Sequence, residues 1–134
     1  MSDENVEVVR QAYAAINRGD VDAAFESLAP EFECDMSRAV GINVSLDTYD
    51  LVQFRRLFDE FVSSWESIQF GADEYIDAGD HVVVPFTNRV RSRTLGIEIQ
   101  ARGTFVWTIR DGAASRACYY QELDEALKAA GLSE

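Results

Sequence analysis

The dipeptide Asp111-Gly112, set between two apolar runs, constrains this chain more than any other feature. Both central positions of a two-residue type I′ turn need positive φ, and Asp-Gly supplies them. Pairing outward from that turn sets Ile109 opposite Ala114, Trp107 opposite Arg116, Phe105 opposite Cys118 and Gly103 opposite Tyr120. Side chains alternate faces along a strand, so these eight residues are expected on one face. A preceding strand, with Arg93 opposite Glu98, adds Val82, Val84, Phe86, Asn88 and Val90 to it. An apolar sheet face then carries Asn88, Arg116 and Tyr120. In this register Asn88 meets the small residues Gly103 and Ala101, which leaves room that a packed core would fill.

Helical spacing dominates the first half. Val6, Val9, Tyr13 and Ile16 predict a helix over Asn5 to Asn17, ended by Arg18-Gly19-Asp20. Asp20 caps a second helix carrying Val21, Ala24, Phe25 and Leu28, which stops before Pro30. Glu31 to Met36 alternates as a short strand with Phe32, Cys34 and Met36 on one face, followed by a Gly-, Asn- and Ser-bearing loop. Asp47 to Trp65 reads as a helix with Leu51, Phe54, Phe58, Phe61 and Trp65 in one stripe. Strands over Ile68 to Tyr75, His81 to Arg93, Glu98 to Ile109 and Ala113 to Gln121 follow, then a helix over Asp124 to Ala130. Helices first and a meander after them make the chain α+β, with the helices covering one concave face of a bent sheet.

Length and charge narrow the function classes. A chain of 134 residues is expected to form one domain, residues 1–134. The net charge of −12 argues against a nucleic-acid partner, whose phosphates demand a basic surface. The charge is uneven: residues 1–80 carry 18 acidic and 5 basic side chains, residues 81–134 carry 6 and 7. No apolar run approaches the roughly 20 residues of a membrane span, and the acidic opening is unlike a signal peptide. Cys34 and Cys118 form no spacing motif, so a cytoplasmic, reduced setting is expected. No glycine-rich phosphate loop suggests a nucleotide cofactor. The single histidine, His81, is expected to be exposed after the Gly79-Asp80 turn, which leaves no metal site to build around it.

The order of local motifs then resembles a known family. The run Val9-Arg10-Gln11-Ala12-Tyr13-Ala14-Ala15-Ile16-Asn17-Arg18-Gly19-Asp20-Val21-Asp22 is similar to the opening helices of the nuclear transport factor 2-like superfamily, closest to its SnoaL-like, polyketide cyclase-like branch. Ala29-Pro30-Glu31-Phe32, Ile76-Asp77-Ala78-Gly79-Asp80-His81-Val82-Val83-Val84, Val106-Trp107-Thr108-Ile109-Arg110-Asp111-Gly112 and Tyr120-Gln121-Glu122 agree in order, as does Glu125-Ala126-Leu127-Lys128-Ala129-Ala130-Gly131-Leu132. The resemblance implies a cone-shaped, curved antiparallel or mixed sheet wrapped around N-terminal helices (the cystatin-like fold), with a pocket at the open end. It also implies a dimer through the outer sheet face.

The scaffold hosts both enzymes and binding domains, so the residues must decide. Tyr13 resembles the helix-1 tyrosine that donates to a developing oxyanion in the ketosteroid isomerase branch. That branch also needs a carboxylate at the end of the first strand. The matching position is Met36; Asp35 beside it points away unless a bulge turns it inward. In the epoxide hydrolase branch two aspartates and an arginine surround a water, and Arg116 would meet only Glu122 or Asp35. The cyclase branch's aspartate has no inward-facing counterpart. Arg116 on an apolar face must be paired, either with Glu122, Asp35 or Glu33, or with a ligand carboxylate. Cys118 is expected to be an inert inward thiol.

The expected function is therefore binding of a small apolar or anionic organic molecule. The contacts are Tyr13, Asn88, Arg116 and Tyr120, and the walls Trp65, Phe86 and Trp107. The competing reading is an isomerase, cyclase or hydrolase with Tyr13 as electrophile and Asp35 as base. Arg89, Arg91, Arg93 and Arg102, with Thr87, Thr104, Val106 and Tyr119, are expected on the opposite face, with Arg91 beside Gln100 and Arg89 facing Arg102. That face would form the homodimer contact.

Overall fold

A computed structural model describes residues 2–39 and 46–132 of the chain. Most of the loop expected after the first strand lies outside them. Helix α1 (Ser2–Asn17) opens with Asp3 and Glu4, whose charges suit the positive helix terminus. It buries Val6, Val9 and Ala15. Gly19 ends it at φ 86°, and the Asp20 side chain accepts from the Ala23 N–H to start α2 (Val21–Phe25). Leu28, expected in that helix, instead opens strand β1 (Leu28–Asp35).

The predicted helix from Asp47 starts later. Asp50 and Gln53 form a reciprocal capping box, at 2.8 and 2.9 Å, that fixes the first turn of α3 (Leu51–Ser63). The three residues before it, β2 (Thr48–Asp50), pair antiparallel with β1. The strand expected over Ile68 to Tyr75 is split into β3 (Ser67–Gln69) and β4 (Ile76–Ala78), and the segment between them touches the sheet through a bridge between Ala72 and Phe86. Strands β5 (His81–Arg91), β6 (Glu98–Arg110) and β7 (Ala113–Tyr120) and helix α4 (Leu123–Ala129) complete the order. The sheet runs β2-β1-β7-β6-β5-β3, with β4 also on β5. It is mixed, because β1 runs parallel to β7.

Two registers differ from expectation, with different consequences. Along β5 and β6, Arg91 rather than Arg93 faces Glu98, Phe86 rather than Asn88 faces Gly103, and Arg89 faces Gln100. That shift is two residues, so every side chain keeps its face. Between β6 and β7 the shift is one residue. Asp111 (φ 55°) and Gly112 (φ 80°) make the expected turn, and Ile109 faces Ala114. Ser115 then has no partner: Thr108 faces Arg116, Trp107 faces Ala117 and Phe105 faces Tyr119. This is a β-bulge, in which one strand carries an extra residue. The Ser115 hydroxyl donates to the Thr108 carbonyl at 3.3 Å. An odd shift reverses every side chain beyond it. Ala117 and Tyr119 therefore face the helices, while Arg116, Cys118 and Tyr120 face outward.

The inner face packs against α1 and α3. Val82, Val84, Ile109 and Ala114 meet Val6 and Val9, and Phe32, Cys34, Phe86, Ala117 and Tyr119 form a second buried cluster with Tyr49. On the outer face, Val83 and Val106 are covered by Ala126 of α4 and by Ala130, which caps its C-terminus, with Tyr120 beside them.

Candidate functional site

The inner face of the sheet and the apolar stripe of α3 bring together a chain of aromatic rings. Phe86, Phe105 and Trp107 follow one another at 5.4 and 5.5 Å between ring centroids. Phe32 bridges Trp107 and Phe54, and Phe25 bridges Phe54 and Phe58. Trp65 lies against Phe61 at 6.4 Å. Despite this density, no residue of α3 is fully buried, and Phe105 and Trp107 are only half-buried. A closed core buries such rings, which are its largest source of stability. These rings each keep part of their surface exposed.

No charged side chain lies on the inner face of β5, β6 or β7 among the described residues. The polar groups there are few. Burial pushes the Tyr13 phenol well above its usual pKa, and the Trp107 indole beside it offsets only part of that. Burial also raises Cys34 and Tyr119. The indole nitrogens of Trp65 and Trp107 are shielded from solvent, and neither makes a well-aligned hydrogen bond within the described residues. Asn88 faces Ala101 and accepts from the Gly71 N–H at 3.4 Å. The room expected over Gly103 is taken: a Cβ there would lie 2.6 Å from Tyr119 and 2.9 Å from Phe86.

Of the residues singled out in the sequence, Tyr13, Trp65, Phe86, Asn88 and Trp107 lie on the helix-covered side. Arg116, Tyr120 and Asp35 do not, and the expected inward placement of Arg116 and Tyr120 is corrected by the Ser115 bulge. Cys118 is likewise turned outward, and Tyr119, expected outside, is turned inward. Asp35 points outward with Arg116, as the alternation of Phe32, Cys34 and Met36 required.

These outward residues meet each other. Asp35 Oδ2 accepts from Arg116 at 3.2 Å and from Arg38 at 3.4 Å, and the Cys118 thiol lies 3.7 Å away. Its Oδ1 takes the N–H and hydroxyl of Ser37 at 2.9 and 2.7 Å. Burial alone would raise the Asp35 pKa, but the two Ser37 hydrogen bonds and Arg38 outweigh it and hold the carboxyl below its usual range. The Arg38 guanidinium stacks over the Tyr120 ring at 4.9 Å. Burial, with the Cys118 thiol, pushes the Tyr120 phenol up to about 12. Arg38 was missed in the sequence; its signal was the Asp-x-x-Arg spacing from Asp35. His81 is half-buried rather than exposed, with Nδ1 3.0 Å from Thr108 Oγ1. No group of three His, Cys, Asp or Glu side chains gathers as a metal site among the described residues. Nor is any helix there long and apolar enough to cross a membrane.

The sequence model of the SnoaL-like domain matches residues 9–117. The chain belongs to the SnoaL-like domain family. A comparison with curated protein sequences finds no match for this SnoaL-like domain. Its fold is shared by solved structures of low identity. A nuclear transport factor 2-like protein of Burkholderia thailandensis is 23% identical, with a TM-score of 0.74 over 94% of this chain and 95% of that one. AclR of Streptomyces galilaeus is 14% identical, with a TM-score of 0.75 over 98% of each chain. TerC, co-crystallised with polyporic acid, is 20% identical, with a TM-score of 0.70 over 96% and 98%.

Proposed function

We propose that this SnoaL-like domain is a cytoplasmic binding protein for a small, uncharged, largely aromatic molecule, held between α3 and the inner face of the sheet. The observation that carries the reading is the half-burial of facing aromatic rings on α3, β6 and the Trp65 segment. A flat apolar molecule inserted among them gains roughly 25 cal/mol for each Å² removed from water. The absence of inner-face charge among the described residues favours the apolar over the anionic ligand of the sequence-based expectation. Tyr13 and Asn88 supply the orienting polar contacts, as is common in apolar sites.

Binding rather than turnover is favoured by the lack of a proton acceptor on the inner face among the described residues. Tyr13, Tyr119 and Cys34 are all pushed toward their neutral forms, so none is a proton acceptor at neutral pH. Asp35, the base of the competing enzymatic reading, is committed to Arg116, Arg38 and Ser37 on the other side of the sheet. TerC, which shares the fold, has been co-crystallised with polyporic acid. Titration with the uncharged dye Nile red tests the proposal. Saturable binding with one dye per chain and a blue-shifted emission is expected, weakened in Asn88→Trp, which fills the cleft. Emission that rises linearly without saturation would refute it.

A further inference from the structure

The turn between β5 and β6 holds an aliphatic patch out in solvent. Leu95 is 72% exposed, Ile97 51% and Ile99 41%. The backbone beneath them is fixed by its own hydrogen bonds. Ser92 N–H donates to the Ile97 carbonyl at 2.9 Å, Gly96 N–H to the Ser92 carbonyl at 3.0 Å, and Leu95 N–H to Ser92 Oγ at 3.2 Å. The Arg91 guanidinium donates to the Gly96 carbonyl at 2.7 Å. The hairpin also reaches past its neighbour: β7 ends at Tyr120, opposite Thr104, so from Glu98 to Gly103 β6 pairs with β5 alone among the described residues.

The same hairpin reverses the charge of the chain. Residues 89–102 hold Arg89, Arg91, Arg93 and Arg102 against the single acid Glu98, a net charge of +3. The whole chain carries −12, which leaves −15 on the remainder. All four arginines are exposed, and none forms an ion pair among the described residues. Carboxylates outnumber cations two to one in this chain, 24 to 12, yet these guanidiniums stay without one. Their charge is available to an anion outside the molecule.

We propose that this hairpin tip docks the protein reversibly on an anionic lipid surface. Leu95 and Ile97 enter the boundary between headgroups and acyl chains, with Ile99 behind them and the arginines at the level of the phosphates. A segment entering that layer must satisfy its own backbone, because acyl chains offer no hydrogen-bond partner. The bonds at Ser92, Leu95, Gly96 and Ile97 do so before docking. Attraction to an anionic leaflet fades within a Debye length, roughly 8 Å at physiological salt. A strand rises about 3.3 Å per residue, which sets Arg91 and Arg93 within that range of the tip and Arg89 at its limit. A fluid acyl layer receives a projecting turn without a complementary pocket, and three aliphatic side chains give weak, salt-sensitive binding rather than an anchor.

Co-sedimentation with vesicles tests the docking. Phosphatidylcholine vesicles with about 30% phosphatidylglycerol should carry the protein down, and phosphatidylcholine alone at least about tenfold less. About 0.5 M NaCl should release most of it, because the Debye length then falls below about 5 Å. Leu95→Ser combined with Ile97→Ser should weaken partition at least about tenfold. Arg89→Gln combined with Arg93→Gln should weaken it at least about fivefold. All four positions are exposed, so the far-ultraviolet spectrum of each variant should match wild type. Wild type that stays in solution with the anionic vesicles would overturn the proposal. So would binding that ignores salt, or that survives in the Leu95 and Ile97 variant. Self-association without vesicle binding, lost in that same variant, would assign the tip to a second copy and overturn it equally.

Discussion

Gly103 offers a quantitative test of how the inner face is packed. The sequence suggests empty space beside this glycine, whereas Tyr119 and Phe86 occupy it. A Cβ built at Gly103 would stand 2.6 Å from Tyr119 Cε1, 2.8 Å from the Tyr119 hydroxyl and 2.9 Å from Phe86 Cζ. All three contacts are closer than van der Waals separation allows, and both rings are buried, so neither swings away freely. Overpacking of this kind costs about 1–3 kcal/mol. Replacing glycine by alanine also restricts the unfolded chain, which returns about 0.4–1 kcal/mol. The net expectation for Gly103→Ala is a loss of about 1–2 kcal/mol, or roughly 5 °C in Tm for a domain of this size. Urea unfolding gives the free energy, and calorimetry the Tm. Combining the change with Tyr119→Leu, which removes the ring, should cost less than the two single effects added together. An unchanged or raised Tm in Gly103→Ala would refute the packing described for this face.

Gly112→Ala isolates backbone strain: φ is 80° and an added Cβ meets nothing within 4 Å. It should cost about 1–2 kcal/mol in urea unfolding, with the far-ultraviolet spectrum unchanged. Asp35→Asn should lower stability at pH 7 by about 1 kcal/mol, discounted because Arg38 and Arg116 are half-exposed. The folded carboxyl titrates below its unfolded value, so its contribution is complete above about pH 4 and fades as pH falls through the folded pKa. Unfolding measured from pH 7 down to pH 2 should therefore show the two proteins converging.

Much of the fold was legible because its signals are local. The spacing of Val6, Val9 and Tyr13, the Asp20 cap and the Asp111-Gly112 turn each act within a few residues. The β5–β6 slip of two residues left faces intact, so Phe86, Asn88 and Trp107 were assigned correctly to the inner side. The bulge at Ser115 was not legible, since nothing in Ala113-Ala114-Ser115-Arg116 departs from an ordinary strand. It accompanies a tertiary feature that the local sequence does not signal: β1 pairs parallel with β7 and shifts register between Leu28 and Glu33. That single extra residue carried Arg116, Cys118 and Tyr120 to the outer face, and with them the guanidinium on which the anionic half of the expected apolar or anionic ligand depended. The short strand β2 was hidden because only three residues, Thr48 to Asp50, form it directly before the strong helical stripe of α3. Its start is set by Asp50, which caps the helix from a strand position.

Calorimetric titration with two ligands of the same ring system bears most directly on an uncharged inner cleft. The pair is 2-acetylnaphthalene and 2-naphthoate, offered to wild type and to Arg116→Met. The uncharged ketone should bind more tightly than the carboxylate, and Arg116→Met should alter neither affinity. Tighter binding of the carboxylate, lost when Arg116 is replaced, would mean that the guanidinium reaches the ligand and that the cleft described here is wrong.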